Sequence, residues 1–184
     1  AALAEDRPKP GGGGPWITTI DLITIGPGEH LFSRMGHSAL MVFTFRKDAQ
    51  KLREEAAALL RQARADPTRA QELNRSALVL AKQAKEYRAT VYNYGDADFD
   101  ADDFEWQFLR GTVKFRMSKT ESLPGFIELY ARSNRAMTHQ RLNLTAAQVK
   151  GVAAALEKNL RPENRYYPYH HMEAGCATKI RDLL

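Results

Sequence analysis

Alternating and clustered apolar residues predict strands at several points along the chain. Trp16 to Ile25 is β-branched and apolar and runs into Gly26-Pro27-Gly28, a pattern typical of a strand that ends in a tight turn. The apolar run from His37 to Phe43 has the length of a buried strand entered from a Gly-rich loop. Further strands are predicted from the same patterns over Thr90 to Tyr94, Thr112 to Ser118 and Thr138 to Leu144.

Between these strands, the segment from Lys47 to Arg88 has a helical period. Ala and Leu recur at steps of three and four in two stripes, which Asp66-Pro67-Thr68 separates. We therefore expect two antiparallel helices packed through a narrow seam, forming a hairpin inserted between two strands; a partner-docking role is the alternative. The stripes are Ala49, Leu52, Ala56, Leu59 and Ala63, and then Ala70, Leu73, Ala77, Leu80 and Ala84.

Besides the helix at Cys176, three helices are predicted in the second half of the chain. One spans Phe104 to Leu109, and another begins after Ser122, continues to about Arg132 and buries Phe126, Leu129 and Tyr130. The third opens with the capping box Thr145-Ala146-Ala147-Gln148. The predicted fold class is α+β, a small and mostly antiparallel sheet with flanking helices and the inserted helical hairpin.

Composition and length predict a single globular domain over residues 16–184, because 43% of the 184 residues are hydrophobic and 27% are charged. We interpret it as one catalytic domain that carries the hairpin, residues 47–88, as an insertion. Residues 1–15 are rich in Pro and Gly and are expected to be a disordered linker. Ala2-Leu3-Ala4 has the small-x-small pattern of a signal-peptidase site. That pattern favours an extracytoplasmic location, with a trimmed start of the chain as a compatible alternative.

The charge distribution narrows the choice of partners. The net charge of +5 comes from basic residues that are spread along the chain rather than blocked. This supports only a weak association with anionic membrane surfaces. No nucleic-acid-binding motif and no basic stripe interleaved with aromatic residues occurs, so nucleic-acid binding is disfavoured.

Cys176 is the single cysteine and precedes a run that predicts an amphipathic helix. A thiol at a helix start is biased towards the thiolate, the form that acts as a nucleophile. The candidate base is His37, since catalytic Cys and His residues are usually adjacent only in the fold. Asn93 is the candidate for orienting the imidazole, on a strand expected beside that of His37, with Tyr92 and Tyr94 as rivals. The alternative for Cys176 is a small packing residue.

Two other patterns are interpreted without a metal. Asp96, Asp98, Asp100 and Asp102 alternate like calcium ligands, but Ala101 and Gln107 stand where a calcium loop needs Gly and Glu. A turn followed by a helix cap explains that pattern better. His170-His171 could join Cys176 or Glu173 in a metal site, yet the spacing matches no zinc motif. We predict no metal and no cofactor.

Several segments, in order, resemble the N-terminal extracytoplasmic domain of Lnb-type lipoprotein N-acyltransferases. The resemblance runs from about Ile20 to the end of the chain and is interrupted by the hairpin. It rests on Thr24-Ile25-Gly26-Pro27-Gly28, Gly36-His37-Ser38-Ala39-Leu40, Val91-Tyr92-Asn93-Tyr94-Gly95 with Asp98-Phe99, Phe108-Leu109-Arg110-Gly111, Asn134-Arg135, Leu142-Asn143-Leu144, Pro162-Glu163-Asn164 and Cys176-Ala177-Thr178-Lys179-Ile180-Arg181-Asp182.

The resemblance implies a permuted relative of papain-type and lecithin:retinol-acyltransferase-type thiol enzymes, with an antiparallel sheet packed on the Cys helix. It also implies transfer of an acyl chain from a diacylglyceryl lipoprotein to its terminal amine, with Cys176 as the nucleophile and His37 as the base. Membrane lipid or lipoprotein would be the substrate. The family usually has Asp-Asn before the cysteine, whereas Ala174-Gly175 stand there in this chain.

The chemistry of a thiol–imidazole pair leaves three functions open. In the first, His37 takes the thiol proton, Cys176 attacks a lipid ester, and the acyl group rests as a thioester before it passes to an amine. Backbone N–H groups at the helix start would hold the oxyanion. The second function is amide hydrolysis of cell-wall peptides, and the third is a non-catalytic lipid- or protein-binding module. A long apolar groove at Cys176 favours the first, an open polar cleft the second, and a filled site the third.

Overall fold

The computed structural model describes residues 16–29, 33–99, 101–170 and 173–184. Within these ranges the chain forms six strands and six helices, which confirms the predicted α+β class. The predicted linker 1–15, Asp100 of the alternating aspartates and His171 of the histidine pair lie outside the described residues. The strands are β1 (Trp16–Ile25), β2 (His37–Arg46), β3 (Tyr87–Asp96), β4 (Lys114–Thr120), β5 (Met137–Arg141) and β6 (Tyr166–Pro168). The helices are α1 (Ala49–Ala65), α2 (Ala70–Gln83), α3 (Phe104–Arg110), α4 (Leu123–Arg132), α5 (Ala146–Asn159) and α6 (Cys176–Arg181).

The strands form one antiparallel sheet in the order β5-β1-β2-β3-β4-β6. The two strands in the middle, β2 and β3, are those that flank the helical hairpin in the sequence. Strand β6 was not predicted, because three residues are too few to display a period of two. The order places the strand of Asn93 directly beside the strand of His37.

The chain divides into two compact units, with the boundary inside β1, β2 and β3. The described part of the first comprises residues 16–18 and 44–88 and contains the hairpin of α1 and α2. Its buried side chains come from the two predicted stripes, so the seam forms where the sequence predicts it. They are Leu52, Ala56 and Ala63 on α1, and Leu73, Ala77 and Ala84 around α2.

The second unit, residues 19–43 and 89–184 in its described parts, has a core on each face of the sheet. Alternate residues of a strand point to opposite faces, so Leu40 and Tyr92 belong to one core, and Ala39 and Val91 to the other. Helices α3, α5 and α6 supply side chains to the first core. Helix α4 covers the second through Phe126.

Helix α4 corrects one detail of the sequence interpretation. Phe126 is buried and Tyr130 is partly buried, as predicted, but Leu129 is 60% exposed. The helix is ten residues long and meets the sheet mainly through Phe126, so the apolar stripe is narrower than the sequence pattern suggests. The predicted caps are present: the Ser122 hydroxyl accepts the Gly125 N–H at 3.2 Å. Thr145 and Gln148 form the capping box of α5.

A fully buried carboxylate connects β1 to the edge strand β5. The Asp21 side chain has no exposed surface and accepts hydrogen bonds from His139 Nε2 at 2.6 Å and from Arg141 Nε at 3.4 Å. The two donors are half exposed. Buried charges are tolerated when they are paired and hydrogen-bonded, so this cluster stabilises the pairing of the two strands.

We predict that the double variant His139→Ala/Arg141→Ala lowers the free energy of unfolding by about 2 kcal/mol, since it leaves the Asp21 carboxylate without its donors. The loss is below that of a fully buried pair because removing the two side chains also admits water. Urea unfolding followed by circular dichroism measures it. Gln140→Ala, an exposed change on the same strand, should stay within about 0.5 kcal/mol of wild type. Equal stability of the double variant and this control would contradict the assignment.

The hairpin itself offers a second test. Strands β2 and β3 are neighbours in the sheet, so a short Gly-containing turn can join them once residues 47–88 are removed. We predict that the shortened protein unfolds in one cooperative thermal transition and loses helical circular dichroism. Loss of cooperative unfolding would show instead that the hairpin is required for the core of the sheet.

Candidate active site

His37 is the first residue of β2, and the turn before it positions its side chain. Gly36 has a φ of 73°, and a Cβ at this position would lie 2.9 Å from the carbonyl oxygen of Ile25. A residue with a side chain would therefore be strained there and would also collide with backbone. The Gly-rich approach recognised in the sequence thus has a physical role: it brings the chain back beside β1 and into β2.

A β-bulge in β3 lies directly beneath the imidazole. Asn93 faces Ser118 on β4 and Asp96 faces Arg116, so β3 has one more residue than β4 between these pairs. The extra length includes Gly95, where a Cβ would lie 2.5 Å from His37 Cε1. The imidazole therefore packs on the Gly95 backbone, and no larger residue fits.

Asn93 contacts both the bulge and the histidine. Its Oδ1 accepts the N–H of Gly95 at 2.6 Å, and its side chain also hydrogen-bonds to His37. The rival tyrosines bond elsewhere: the Tyr92 hydroxyl donates to Glu157, and the Tyr94 hydroxyl accepts from Asn159 at 2.9 Å, both on α5. Of the three candidates for orienting the imidazole, Asn93 is the one that the structure brings to His37.

The surroundings of His37 keep its ring neutral. Burial lowers the pKa of His37, the Asn93 hydrogen bond raises it, and the Arg135 charge lowers it, giving a value of about 4. At pH 7 the ring is therefore uncharged. Its Nε2 is buried and has no hydrogen-bond partner among the described residues. A neutral imidazole with a free nitrogen is the form that can accept a proton from a nucleophile.

Cys176 is the first residue of α6, is partly buried, and lines the same cleft as His37 and Asn93. Three tyrosines lie within electrostatic range of it. Burial raises the pKa of Tyr130, Tyr167 and Tyr169, and a negative charge on Cys176 would raise each of them further. The thiol thus has three aromatic side chains within electrostatic range.

Backbone bonds hold the turn before Cys176, where Ala174-Gly175 stand in place of the Asp-Asn that the sequence resemblance implies. The Ala174 N–H donates to the carbonyl of His170 at 2.9 Å, and a weaker bond of 3.5 Å runs back from the His170 N–H. The Thr178 hydroxyl donates to the Gly175 carbonyl at 2.8 Å. Main-chain bonds and one hydroxyl therefore hold the turn that presents the cysteine.

The cleft has a volume of about 740 Å³, and its lining combines polar and charged side chains with aromatic and aliphatic ones. Pockets that enclose small ligands measure roughly 300–1,000 Å³, so the space suits a chain-like or drug-sized ligand. Six aromatic side chains and one leucine in this lining are called the aromatic wall below: Phe99, Phe108, Phe115, Phe126, Leu129, Tyr130 and Tyr169.

Sequence analysis missed one residue of the cleft. Arg135 lies three residues beyond the end of α4, where its N–H bonds to the Tyr130 carbonyl at 3.1 Å and Asn134 takes a positive φ of 49°. This is the bonding of a Schellman helix end. The Asn134-Arg135 segment belongs to the family resemblance, which is the signal that could have singled it out.

Two properties of the described residues bear on metal binding and on membrane insertion. Ranges 16–29, 33–99, 101–170 and 173–184 contain no group of three His, Cys, Asp or Glu side chains that could hold a metal ion. None of the helices in these ranges combines the length and the apolar character that a bilayer crossing needs. His170 and Glu173, which the sequence analysis considered for a metal site, are joined by a hydrogen bond instead: His170 Nδ1 accepts the N–H of Glu173 at 3.2 Å.

The lowered pKa of His37 predicts a pH dependence of stability. Unfolded, the ring titrates near its ordinary pKa of 6.5, and folded near 4, so between these values the unfolded chain binds more protons. Stability is therefore complete above pH 6.5 and declines by about 3 kcal/mol as the pH falls to 4.

Urea unfolding at a series of pH values checks this prediction. His37→Gln removes the titrating group, so the wild-type stability should fall more steeply than that of the variant between pH 6.5 and 4. Gln71→Ala, exposed on α2, should follow the wild-type curve. Parallel curves for wild type and His37→Gln would refute the buried, neutral imidazole.

The family comparison covers the part of the chain that contains Asn93, Arg135 and Cys176. The family model described as Lnb N-terminal periplasmic domain matches residues 75–184, so the match begins within α2 and leaves out His37. No curated protein and no solved structure matches the chain. The family description agrees with the extracytoplasmic location predicted from the sequence. Because the match spans more than half of the residues, the chain belongs to the Lnb N-terminal periplasmic domain family.

Proposed function

We propose that this domain is a thiol-dependent acyltransferase acting on lipid esters. Its donor is a diacylglyceryl lipoprotein, and the acceptor is the N-terminal amine of that lipoprotein. The observation that carries the proposal is the arrangement of Cys176, His37 and Asn93 around one cleft, with His37 Nε2 buried and unpartnered. Family membership supports the same chemistry, because Lnb is also the name of the lipoprotein N-acyltransferases that the sequence resembles.

In the proposed first half-reaction, the neutral His37 ring accepts the thiol proton of Cys176. The sulfur attacks the carbonyl carbon of the ester, a C–S bond forms, and the carbonyl electrons move to oxygen. When they return, the C–O bond breaks and the alcohol leaves with the proton that His37 held. The acyl chain is then a thioester on Cys176.

The second half-reaction repeats these steps with an amine as the nucleophile. His37 takes a proton from the attacking amine, an amide bond forms, and the thiol leaves with its proton restored. Asn93 keeps the imidazole in one orientation through both halves, since its Oδ1 is itself held by the Gly95 N–H at 2.6 Å. A held imidazole loses less entropy when it reaches the geometry of proton transfer.

The lining of the cleft supports a lipid over a peptide as the acyl donor. Phe108, Phe126 and Leu129 are among the apolar side chains around the cysteine, and such surfaces bind acyl chains through the hydrophobic effect. The aromatic wall is the feature that favours lipid esters over cell-wall amides. Amide hydrolysis and a non-catalytic binding module are therefore outcomes of the following test.

Incubation with a diacyl lipopeptide is expected to transfer one acyl chain to the free terminal amine. When the amine is blocked, the Cys176 peptide should gain the mass of one acyl group. Cys176→Ala should abolish both signals, and His37→Ala should slow acylation by about 10²–10⁴-fold because proton transfer is lost. Mass spectrometry measures both products.

Asn93→Ala should fall between wild type and His37→Ala, since it frees the ring without removing it. Asn74→Ala, an exposed substitution of the same kind on α2, is the control and should react like wild type. Release of peptide fragments without an acyl adduct would favour amide hydrolysis. A folded protein that gives neither product would favour the binding module.

A further inference from the structure

Arg135 places a cation in the cleft that the proposed acyl transfer does not use. Its Nε donates to the Gly26 carbonyl at 2.9 Å, and its guanidinium lies 5.2 Å from the centre of the Tyr130 ring. Its Nη2 is buried and has no hydrogen-bond partner among the described residues. The side chain is therefore held in place at two points, while part of its hydrogen-bonding fork stays unused.

The other cations around the cleft differ in this respect. Lys119 pairs with Glu157 at 3.5 Å, and Arg132 pairs with Glu128 at 2.5 Å. Within the described ranges, Arg135 forms no ion pair. No counter-ion among the described residues therefore balances the positive charge of Arg135 in the cleft. This charge also lowers the pKa of His37.

Acidic groups at the cleft do not neutralise this charge. Asp96 is bound to Arg116, with Nε to Oδ2 at 2.8 Å, and Glu29 is exposed. A buried donor without an acceptor costs about 1–3 kcal/mol, and more when the group is charged. An anion that enters the cleft would remove this cost, and the planar guanidinium fork matches the paired oxygens of a phosphate or a carboxylate.

The surroundings of Arg135 specify the rest of the ligand. Tyr130 stacks beneath the guanidinium, while Phe126 and Leu129 of the same helix line the cleft. A charged site beside an aromatic and aliphatic wall fits a molecule with a charged end and an apolar chain. The apolar side chains contribute through burial of the chain, and Arg135 selects the sign of the charge.

We propose that the cleft binds an anionic amphiphile, with its phosphate or carboxylate headgroup on Arg135 and its hydrocarbon chain against the aromatic wall. This inference rests on the proposed function in one respect, that both assign the ligand to the cleft of Cys176. It goes further by naming the charge and the chemical class of a lipid that this site recognises. The ligand can be a membrane phospholipid or a fatty acid, because they share this chemistry.

Isothermal titration calorimetry with decyl phosphate, below its critical micelle concentration, tests the proposal. Measurements in the Cys176→Ala background keep binding separate from chemistry. Arg135→Gln should weaken decyl phosphate binding by about 10-fold or more, since it removes a charge-assisted hydrogen bond. Arg132→Gln, a loss of the same charge from a cleft arginine that is already paired, should change affinity less than about 2-fold.

Ligand controls separate the parts of the proposal. Decyl maltoside, with the same chain and a neutral headgroup, should bind more weakly than decyl phosphate and should not respond to Arg135→Gln. Inorganic phosphate should bind much more weakly than decyl phosphate, because it lacks the chain. Decanoate and phosphatidylglycerol vesicles then distinguish a fatty acid from a membrane phospholipid as the source of the headgroup.

Three results would overturn the proposal: equal affinity for decyl phosphate and decyl maltoside, unchanged affinity in Arg135→Gln, or inorganic phosphate binding as tightly as decyl phosphate. If Arg135→Gln unfolds, the proposal is still tested by the other two comparisons, decyl phosphate with decyl maltoside and decyl phosphate with inorganic phosphate. Both are made on the protein that retains Arg135. Arg135→Lys, which keeps the charge without the fork, should lose less affinity than Arg135→Gln. The Cys176→Ala background cannot form a thioester, so failure of acyl transfer and failure of this binding are separate results.

Discussion

The packing of the His37 imidazole on the backbone of Gly95 is the constraint on which the candidate site depends. The ring can lie there only because position 95 has no Cβ, and a Cβ would come within 2.5 Å of Cε1. The bulge that contains Gly95 also turns Asn93 towards the ring, and the Gly95 N–H holds the amide in place at 2.6 Å. The bulge in β3 therefore determines where the His37 ring lies, how it is oriented and which side chain it hydrogen-bonds to. Bulges commonly re-aim a side chain in this way beside functional sites.

The same packing determines the charge state of the site. A histidine buried against backbone loses its hydration, so the neutral form prevails and the pKa falls to about 4. The nearby Arg135 acts in the same direction. An anion bound at Arg135 would offset this positive charge and would thereby raise the pKa of His37.

Much of the fold could be predicted from the sequence, because its elements depend on local patterns. Strand β1 has the bounds Trp16–Ile25 that the β-branched run predicts. The capping box of α5 involves only neighbouring residues, so it too can be recognised in the sequence. Strand β6 and the exposure of Leu129 could not be predicted, since each depends on which partner the sheet provides. The same division holds for the site. Cys176, His37 and Asn93 could be proposed from residue chemistry and motif context. Arg135 stands in a segment of the sequence resemblance, but its place in the cleft depends on how the end of α4 meets the Gly26 loop.

The turn before Cys176 shows how a departure from the family pattern can be accommodated. Side chains at positions 174 and 175 are small or absent, yet the backbone there is held by the bridge between His170 and Ala174 and by the Thr178 hydroxyl on the Gly175 carbonyl. The Asp-Asn that the sequence resemblance implies would add hydrogen-bonding groups beside the thiol, whereas the side chains of Ala174 and Gly175 supply none. Helix α6 is anchored by Ile180, which is buried in the core to which α3 and α5 also contribute. The position of the thiol therefore depends both on the packing of α6 through Ile180 and on the backbone bonds that hold the turn before it.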